Sequence, residues 1–540
     1  MTDLAERMAK LSPEQRALLD RRLRERSRKP ARLEEIPRRS RPNRVPLTVD
    51  QERIWLIHQF DPNDPVYNVH FAWRLLGELD VPAFEQAVNL LVRRHEALRT
   101  TFELEGERPV QVVHEHLPVT VSVQDLTHLP EEEREAAMMR AGQEEVRRPF
   151  DITRGPLLRV LLIRLGPQEH VMVGTVDHLV WDRQSLGIFD REVAEFYTAL
   201  VTGREPQLPE LPIHYADYAE WQPRWLRDEV YRRQLPYWRK RLAGASLTLE
   251  LPSDLVRPPV QTFNGARYEF RLTAELTTAL RELARRENVT IYVLLLAAWN
   301  LILHRWTGQE DIVVGTTSTT RSRPETERMI GYFLTMLPLR TMVSPRMSFR
   351  ELLRATRDTV VEAFDHHDIP FGTLLDELDV PRDPSRNPIY QTSFMFVDFH
   401  EDPVQMPGLR LEPLVFDNRT AKDDCMLCVF DDEVLADHLF GLFEYNTDLF
   451  TEETIARLAR HLRLVLTQAV ADPSRPVSAF SLLEPDEAER MRVEWNRTAV
   501  AREPGLTVDE LIRRRAAATP DAIAVTSGDR RLSYAELLDR

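Results

Sequence analysis

The chain has 540 residues, enough for roughly three or four compact units at about 150 residues each. Apolar residues make up 43% and charged residues 29%, and a formal net charge of −15 argues against a general binder of nucleic acid or anionic membrane. Two cysteines exclude a disulfide framework and suit a reducing cytoplasm.

Residues 1–45 start charged, without the apolar core of a secretion signal. Ser12-Pro13-Glu14 opens a helix with Leu18, Leu19 and Leu23 on one stripe, and Arg21 to Arg44 reads as an Arg- and Pro-rich linker. In an acidic chain this basic run reads as a solvated tether or docking helix rather than an RNA site. With so few apolar residues, the whole segment is expected to be separable. Val81 to Phe102 predicts an amphipathic helix and its exit, with Phe84, Ala87, Leu91 and Leu98 on one side. His95 near its end reads as a satisfied helix-terminal histidine, favoured there by the dipole.

Leu157–Leu165 and His170–Val176 predict two strands joined at Gly166-Pro167. A helix follows, with Leu186, Phe189, Val193, Phe196 and Leu200 at three- and four-residue steps and Ser185 or Asp182 as its cap. Between them lies Asp177-His178-Leu179-Val180-Trp181-Asp182-Arg183-Gln184-Ser185. His178 and Asp182 therefore stand at a strand-to-helix junction, where side chains face either solvent or a cleft. The aromatic, acidic stretch from His214 to Trp221, with Trp225, Tyr237 and Trp238 beyond it, has few interleaved cations. It reads as packing rather than as a base-stacking surface.

Val256 to Gln261 is a Pro-rich crossing, and Tyr268 to Leu272 a strand. Thr273–Glu287 and Thr290–Thr307 predict helices. The apolar run Tyr292 to Leu303, broken by Asn300, is too short to span a bilayer and reads as a buried helix. Asp311 to Gly315 is a buried strand, and Thr316 to Pro324 then carries Arg321. His366 and His367 have no third ligand at metal spacing and read as loop structure. Cys425 and Cys428 lie in a strand that would turn their thiols to opposite faces, so they read as packing residues rather than a metal or redox site. Glu452 to Ala469 predicts a helix, and 474–505 a linker.

Several stretches, in order, resemble the motifs of condensation domains from nonribosomal peptide synthetases. Thr48 to Leu56, continued by Asp61 to Asn68, resembles the opening motif, and Arg94 to Phe102 the second. Asp177 to Arg183 is similar to His-His-x-x-x-Asp-Gly. It keeps His178 and Asp182 but has Asp177 for the first His and Arg183 for the Gly. Ile330 to Arg340 resembles a later motif, with Thr335 and Met336 for Asn-Thr. His367 to Phe371 and Arg382 to Pro388 complete the set. Val508 to Arg540 resembles the first residues of an adenylation domain, as if a module had been cut shortly after its first domain.

The resemblance implies an α/β fold of two chloramphenicol-acetyltransferase-like lobes in a V with a central tunnel. It divides the chain into an N-terminal segment (1–45), N-lobe (46–222), C-lobe (223–490), linker (491–507) and truncated adenylation start (508–540). It implies peptide-bond formation between a donor acyl or peptidyl thioester and an acceptor aminoacyl thioester, and the overall pattern resembles the subfamily that takes an L-configured donor. Both substrates ride on phosphopantetheine of carrier proteins, upstream and downstream. The domain itself binds no cofactor and no metal, and its other partner is the adenylation domain of the same module. No nucleic acid and no membrane are expected, and the location is the cytoplasm. His178 matches the catalytic histidine. Asp182 matches a structural aspartate that pairs with an arginine of the other lobe, here Arg321. Asp177, Arg183 and Ser185 are expected to shape the active site, with Asp177 and Arg183 neutralising each other across the turn. If the family's Gly needs a positive φ, Arg183 would be strained there. The alternative is a catalytically impaired module that recruits carrier proteins or a tailoring enzyme.

Overall fold

The computed structural model describes residues 35–40, 43–381, 383–398, 405–431, 438–501 and 505–540. The helix expected after Ser12 lies outside them. The chain divides into two units, Met1–Phe480 and Ser481–Arg540.

In the first unit, β1 (Arg44–Pro46) precedes helix α1 (Val49–Phe60). Thr48 and Gln51 form a reciprocal capping box at the start of α1, which satisfies two otherwise orphaned N–H groups. Strand β2 (Asn68–Gly77) and helix α2 (Val81–Arg94) follow. A small sheet has the order β1-β4-β3, with β3 at Thr100–Glu105 and β4 at Arg108–Val113. Strand β5 (Val121–Asp125), helix α3 (Glu131–Arg147) and strand β6 (Leu158–Gly166) make a parallel crossover, since parallel neighbours need a long connection. β6 turns back into β7 (Glu169–Asp177), and helix α4 (Arg183–Thr202) leaves from its end. These strands build the order β2-β7-β6-β5, to which the later strand β12 (Leu409–Leu414) adds beside β2. One face buries Met138, Ala141 and Val146 of α3 against Ile163, Val171 and Val173. The other buries Phe84 and Leu91 of α2 with Phe189 and Val193 of α4.

Helix α5 (Tyr215–Trp225), a π-helical turn at Leu226–Val230 and helix α6 (Tyr231–Leu242) form one helical run. The lobe boundary expected at 222/223 thus falls inside a helix, because neither Pro223 nor Pro236 ends it.

The second half is organised on the sheet β10-β9-β11-β13-β14-β8. Its strands are β8 (Gly265–Arg271), β9 (Asp311–Thr319), β10 (Leu334–Met342), β11 (Thr392–Asp398), β13 (Cys425–Asp431) and β14 (Phe440–Asn446). Helices α7 (Ala274–Arg286), α8 (Ile291–Thr307), α9 (Phe349–Phe364), α10 (Phe371–Glu377) and α11 (Glu452–Ala471) accompany it. α8 is buried continuously from Val293 to His304, as an all-round apolar helix must be. No single helix among the described residues is long and apolar enough to cross a membrane. β12 (Leu409–Leu414) departs from this order. Although β11 and β13 flank it in sequence, it pairs antiparallel with β2 in the first half's sheet, from Leu409↔Gly77 to Leu414↔Ala72.

Two further expectations about boundaries change. Residues 36–40 and 43–46 are docked rather than separable. Ile36 is buried, the Arg39 side chain reaches both Glu96 and Asp217, and β1 pairs with β4. The expected linker around 491 contains a helical segment, Pro485–Glu489 continued by a π turn at Arg490–Glu494, and it sits in the second unit. That unit also carries a helix at Val508–Ala518 and a hairpin of Ile523–Ser527 with Arg530–Ser533.

Candidate active site

β7 ends at Asp177, and His178–Val180 form a single 3₁₀ turn before α4. Trp181 anchors that turn from below, fully buried and stacked on Phe71 with ring centres 5.6 Å apart. The His178 ring is partly exposed, and its Nδ1 lies 2.6 Å from the Trp181 carbonyl oxygen. A carbonyl can only accept, so Nδ1 carries the proton and Nε2 presents a lone pair. Tyr332 meets the ring edge-on at 5.1 Å, and Tyr67 lies at 6.2 Å. Burial, and after it the nearby Lys422 cation, lower the His178 pKa to about 4, so the imidazole is neutral at neutral pH.

Asp182 is the N-cap of α4, and Ser185 completes the capping box. Asp182 Oδ1 accepts from the Ser185 N–H at 2.8 Å and its hydroxyl at 2.7 Å. Arg321 approaches from the loop after β9 and grips the same carboxylate with two bonds, Nε to Oδ2 at 3.0 Å and Nη2 to Oδ1 at 2.9 Å. The two side chains are each 2% exposed. Arg321 Nη1 also donates to the Met329 and Thr326 carbonyls, and its guanidinium lies 4.1 Å from the centre of the Phe333 ring. Each charge is thereby met by fixed partners, the condition under which a buried pair is tolerated. Ser185 Oγ lies 3.2 Å from both the N and the O of Gly331, tying α4 to the segment before β10.

Of the residues singled out from sequence, Asp182, Ser185 and Arg321 meet in one network, with His178 one turn away. Asp177 and Arg183 do not neutralise one another. Asp177 is buried inside, where Oδ1 accepts from Leu179 N–H at 2.9 Å and Oδ2 lies 3.0 Å from His58 Nε2. Arg183 is the exposed first residue of α4. It is not among the described residues with left-handed backbone, so a long side chain there carries no strain. His95 is helix-terminal and satisfied as expected, being the C-cap of α2, but the dipole is not what holds it. It is buried, Nδ1 accepts from Ile330 N–H at 3.3 Å, and Nε2 lies 2.7 Å from Glu192. Burial lowers its pKa, so it serves as a neutral bridge between the halves rather than a cation on a dipole. Thr335, at one of the motif departures, donates to Asp50 Oδ1 at 3.1 Å and accepts from Phe371 N–H at 3.0 Å.

Sequence reasoning missed His58, Arg53, Tyr67 and Lys422. His58 left a signal, since it shares the buried stripe of α1 with Gln51 and Ile54. Arg53 Nη1 reaches the Tyr67 hydroxyl at 3.4 Å, and Lys422 Nζ lies 5.8 Å from the Tyr67 ring centre. Lys422 left none, because only the fold carries it to His178. His366 stacks on Tyr237 at 4.1 Å, and both His366 and His367 bond carbonyls of their own helix end through Nδ1. Cys425 and Cys428 are free and buried, and burial pushes the Cys428 thiol up to about 12.

The model of the family described as "Condensation domain" matches residues 42–492. One of the linear gramicidin synthase proteins of Brevibacillus parabrevis is 41% identical over 92% of this chain, which spans 10% of that protein. Phosphinothricin tripeptide synthetase PhsC of Streptomyces viridochromogenes is 40% identical over 99% of this chain, which spans 49% of it. Among solved structures, the X-domain in a complex with OxyB from teicoplanin biosynthesis is 31% identical, with TM-score 0.75, covering 83% of this chain and 98% of that one. A four domain nonribosomal peptide synthetase bound to AMP and glycine shares the fold at 20% identity, with TM-score 0.79, covering 92% of this chain and 38% of that one.

Proposed function

This chain belongs to the condensation-domain family of nonribosomal peptide synthetases, and from that premise we propose that it joins a donor acyl or peptidyl thioester to an acceptor aminoacyl thioester. Both substrates are carried on phosphopantetheine arms of partner carrier proteins, and the donor is L-configured. The acceptor amine attacks the thioester carbonyl, the C–N bond forms, the C–S bond breaks, and the amine's proton ends on the released thiol. His178 is the residue on which this chemistry depends. The observation that carries the reading is its ring geometry, since Nδ1–H is committed to the Trp181 carbonyl and Nε2 is left to accept from an amine. With a pKa near 4 the ring is neutral but weakly basic, which favours orienting the amine over removing its proton outright. Asp182 and Arg321 fix the start of α4 and supply no chemistry. The partners are an upstream donor carrier, a downstream acceptor carrier and the adenylation domain of the same module. The reaction is placed in the cytoplasm, where buried thiols such as Cys425 and Cys428 stay reduced.

Intact-mass analysis of the carriers tests the reading. Incubation with loaded donor and acceptor carriers is expected to place a dipeptidyl group on the acceptor. His178→Ala should lower the rate by about 10²–10⁴-fold with the fold intact. Product at the parental rate from the Ala variant would remove His178 from the mechanism.

A second reading is a catalytically impaired module that recruits carrier proteins or a tailoring enzyme. It is favoured by the likeness to an X-domain found in complex with OxyB and by the altered motif at Asp177 and Arg183. Absence of dipeptide from the parent, together with carrier binding, would select it.

A further inference from the structure

Asp177 stands where the family motif has histidine, and it is 0% exposed. A carboxylate removed from water needs donors and a counter-charge. The Leu179 N–H supplies a donor at Oδ1, 2.9 Å away. The counter-charge in direct contact comes from α1, and the Arg159 cation of β6 acts on Asp177 as well. His58, itself 6% exposed, brings Nε2 to 3.0 Å from Oδ2, a contact held by charge more than by hydrogen-bond alignment. The groups facing His58 are Asp177 from β7, Asp64 from the loop after α1, and the Tyr67 ring at 6.4 Å. Burial opposes the His58 cation, but Asp177 and then Asp64 outweigh it and raise its pKa. The same face of α1 sends Gln51 Nε2 to the Leu179 carbonyl at 2.7 Å. Both polar backbone atoms of Leu179 are therefore fixed, one through Asp177 and one by α1 directly. Leu179 is the residue after His178.

We propose that His58 is a positioning residue for the condensation reaction. Its imidazolium neutralises Asp177, and the pair holds the turn that aims His178 Nε2 at the acceptor amine. The inference rests on the condensation reading above. It explains how this chain presents a catalytic histidine without the motif's first His, with charge supplied by a neighbouring helix. The sign follows from the raised pKa. The pair is intact while His58 is protonated and fails as pH rises through that pKa, which leaves Asp177 buried with no cation in direct contact, only the field of Arg159, itself paired with Glu145.

Steady-state condensation with loaded carriers, using the full chain, tests this with His58→Ala, Asp177→Asn and the exchange His58→Asp with Asp177→His. Each single variant is expected to lose kcat on the order of a hundredfold, with KM for the carriers within about twofold, because a misplaced group costs that much without altering docking. The exchange, which restores an acid–imidazole pair with the ends reversed, should recover kcat to within about tenfold of the parent. Parental kcat in either single variant, or an exchange no faster than the singles, would overturn the proposal. A measurement on the parent alone guards against unfolding of the variants. In histidine-ring ¹⁵N spectra, His58 should titrate above the ordinary histidine value, and the His178 ring signals should move with the same midpoint. A His58 midpoint at or below the ordinary value, or a His178 ring indifferent to it, would also overturn the proposal. If the parent forms no dipeptide, the condensation reading fails, and the ring titration still decides the link between His58 and His178.

Discussion

At the scale of single residues, the site separates groups kept neutral from groups kept charged. The Asp182–Arg321 pair is bidentate and buried. Asp182→Ala would strand Arg321 among the Met329 and Thr326 carbonyls, so a stability loss of about 3–5 kcal/mol is expected in urea unfolding. Asp50 behaves in the opposite way, since burial raises its carboxyl to about 7 despite Arg53 and the Thr335 hydroxyl. A raised carboxyl pKa means that the folded state holds a proton the unfolded state has released. Stability therefore falls as pH rises from about 4 to about 7. Asp50→Asn should flatten that dependence, gaining on the parent at pH 8 relative to pH 5 in matched denaturant titrations. The identical slope in both proteins would show that Asp50 is ionised when folded. Asp182 and Arg321 were legible in the sequence because their residue types recur at motif positions. The role of His58 was not, because its place on the buried stripe of α1 names no partner until β7 is folded beside it.

At the scale of elements, what was legible followed from periodicity. The hairpin β6–β7 is two apolar runs joined at a turn, and α4 repeats at three and four residues, so both were foreseen, and of the two expected caps, Ser185 and Asp182, it is Asp182 that caps α4. β12 was not foreseen, since six residues on a sheet edge bury too little to leave a pattern. The join between the halves near Gly331 was hidden for another reason. Gly331 lies against Tyr215, and a Cβ there would overlap the Tyr215 ring, whose hydroxyl donates to the Tyr332 carbonyl at 2.7 Å. The requirement concerns space, which no local pattern encodes. Gly331→Ala should cost roughly 1–3 kcal/mol by overpacking and loosen α5 from the segment before β10. Thermal unfolding would measure the loss, and an unchanged midpoint would mean that Tyr215 yields freely.

At the scale of the whole molecule, the first unit reaches back beyond its first strand. Burial of Ile36 and the bridges from Arg39 to Glu96 and Asp217 hold residues 36–40 against α5 and the turn after α2. A chain beginning at Arg44 should be less stable than one beginning at Glu35 by about 2 kcal/mol, the order expected for one buried aliphatic side chain. Equal denaturant midpoints for the two would show that this docking contributes nothing. The exchanged strand has a different consequence, one of heredity rather than energy. Because β12 completes a sheet whose other strands all precede residue 178, the two halves of the sequence are not the two halves of the object. A hybrid spliced between two relatives near the middle of the domain would inherit a first sheet whose edge came from the wrong parent. A splice that respects the architecture has to carry residues 405–416 along with the front half, as a second, distant piece of the same graft.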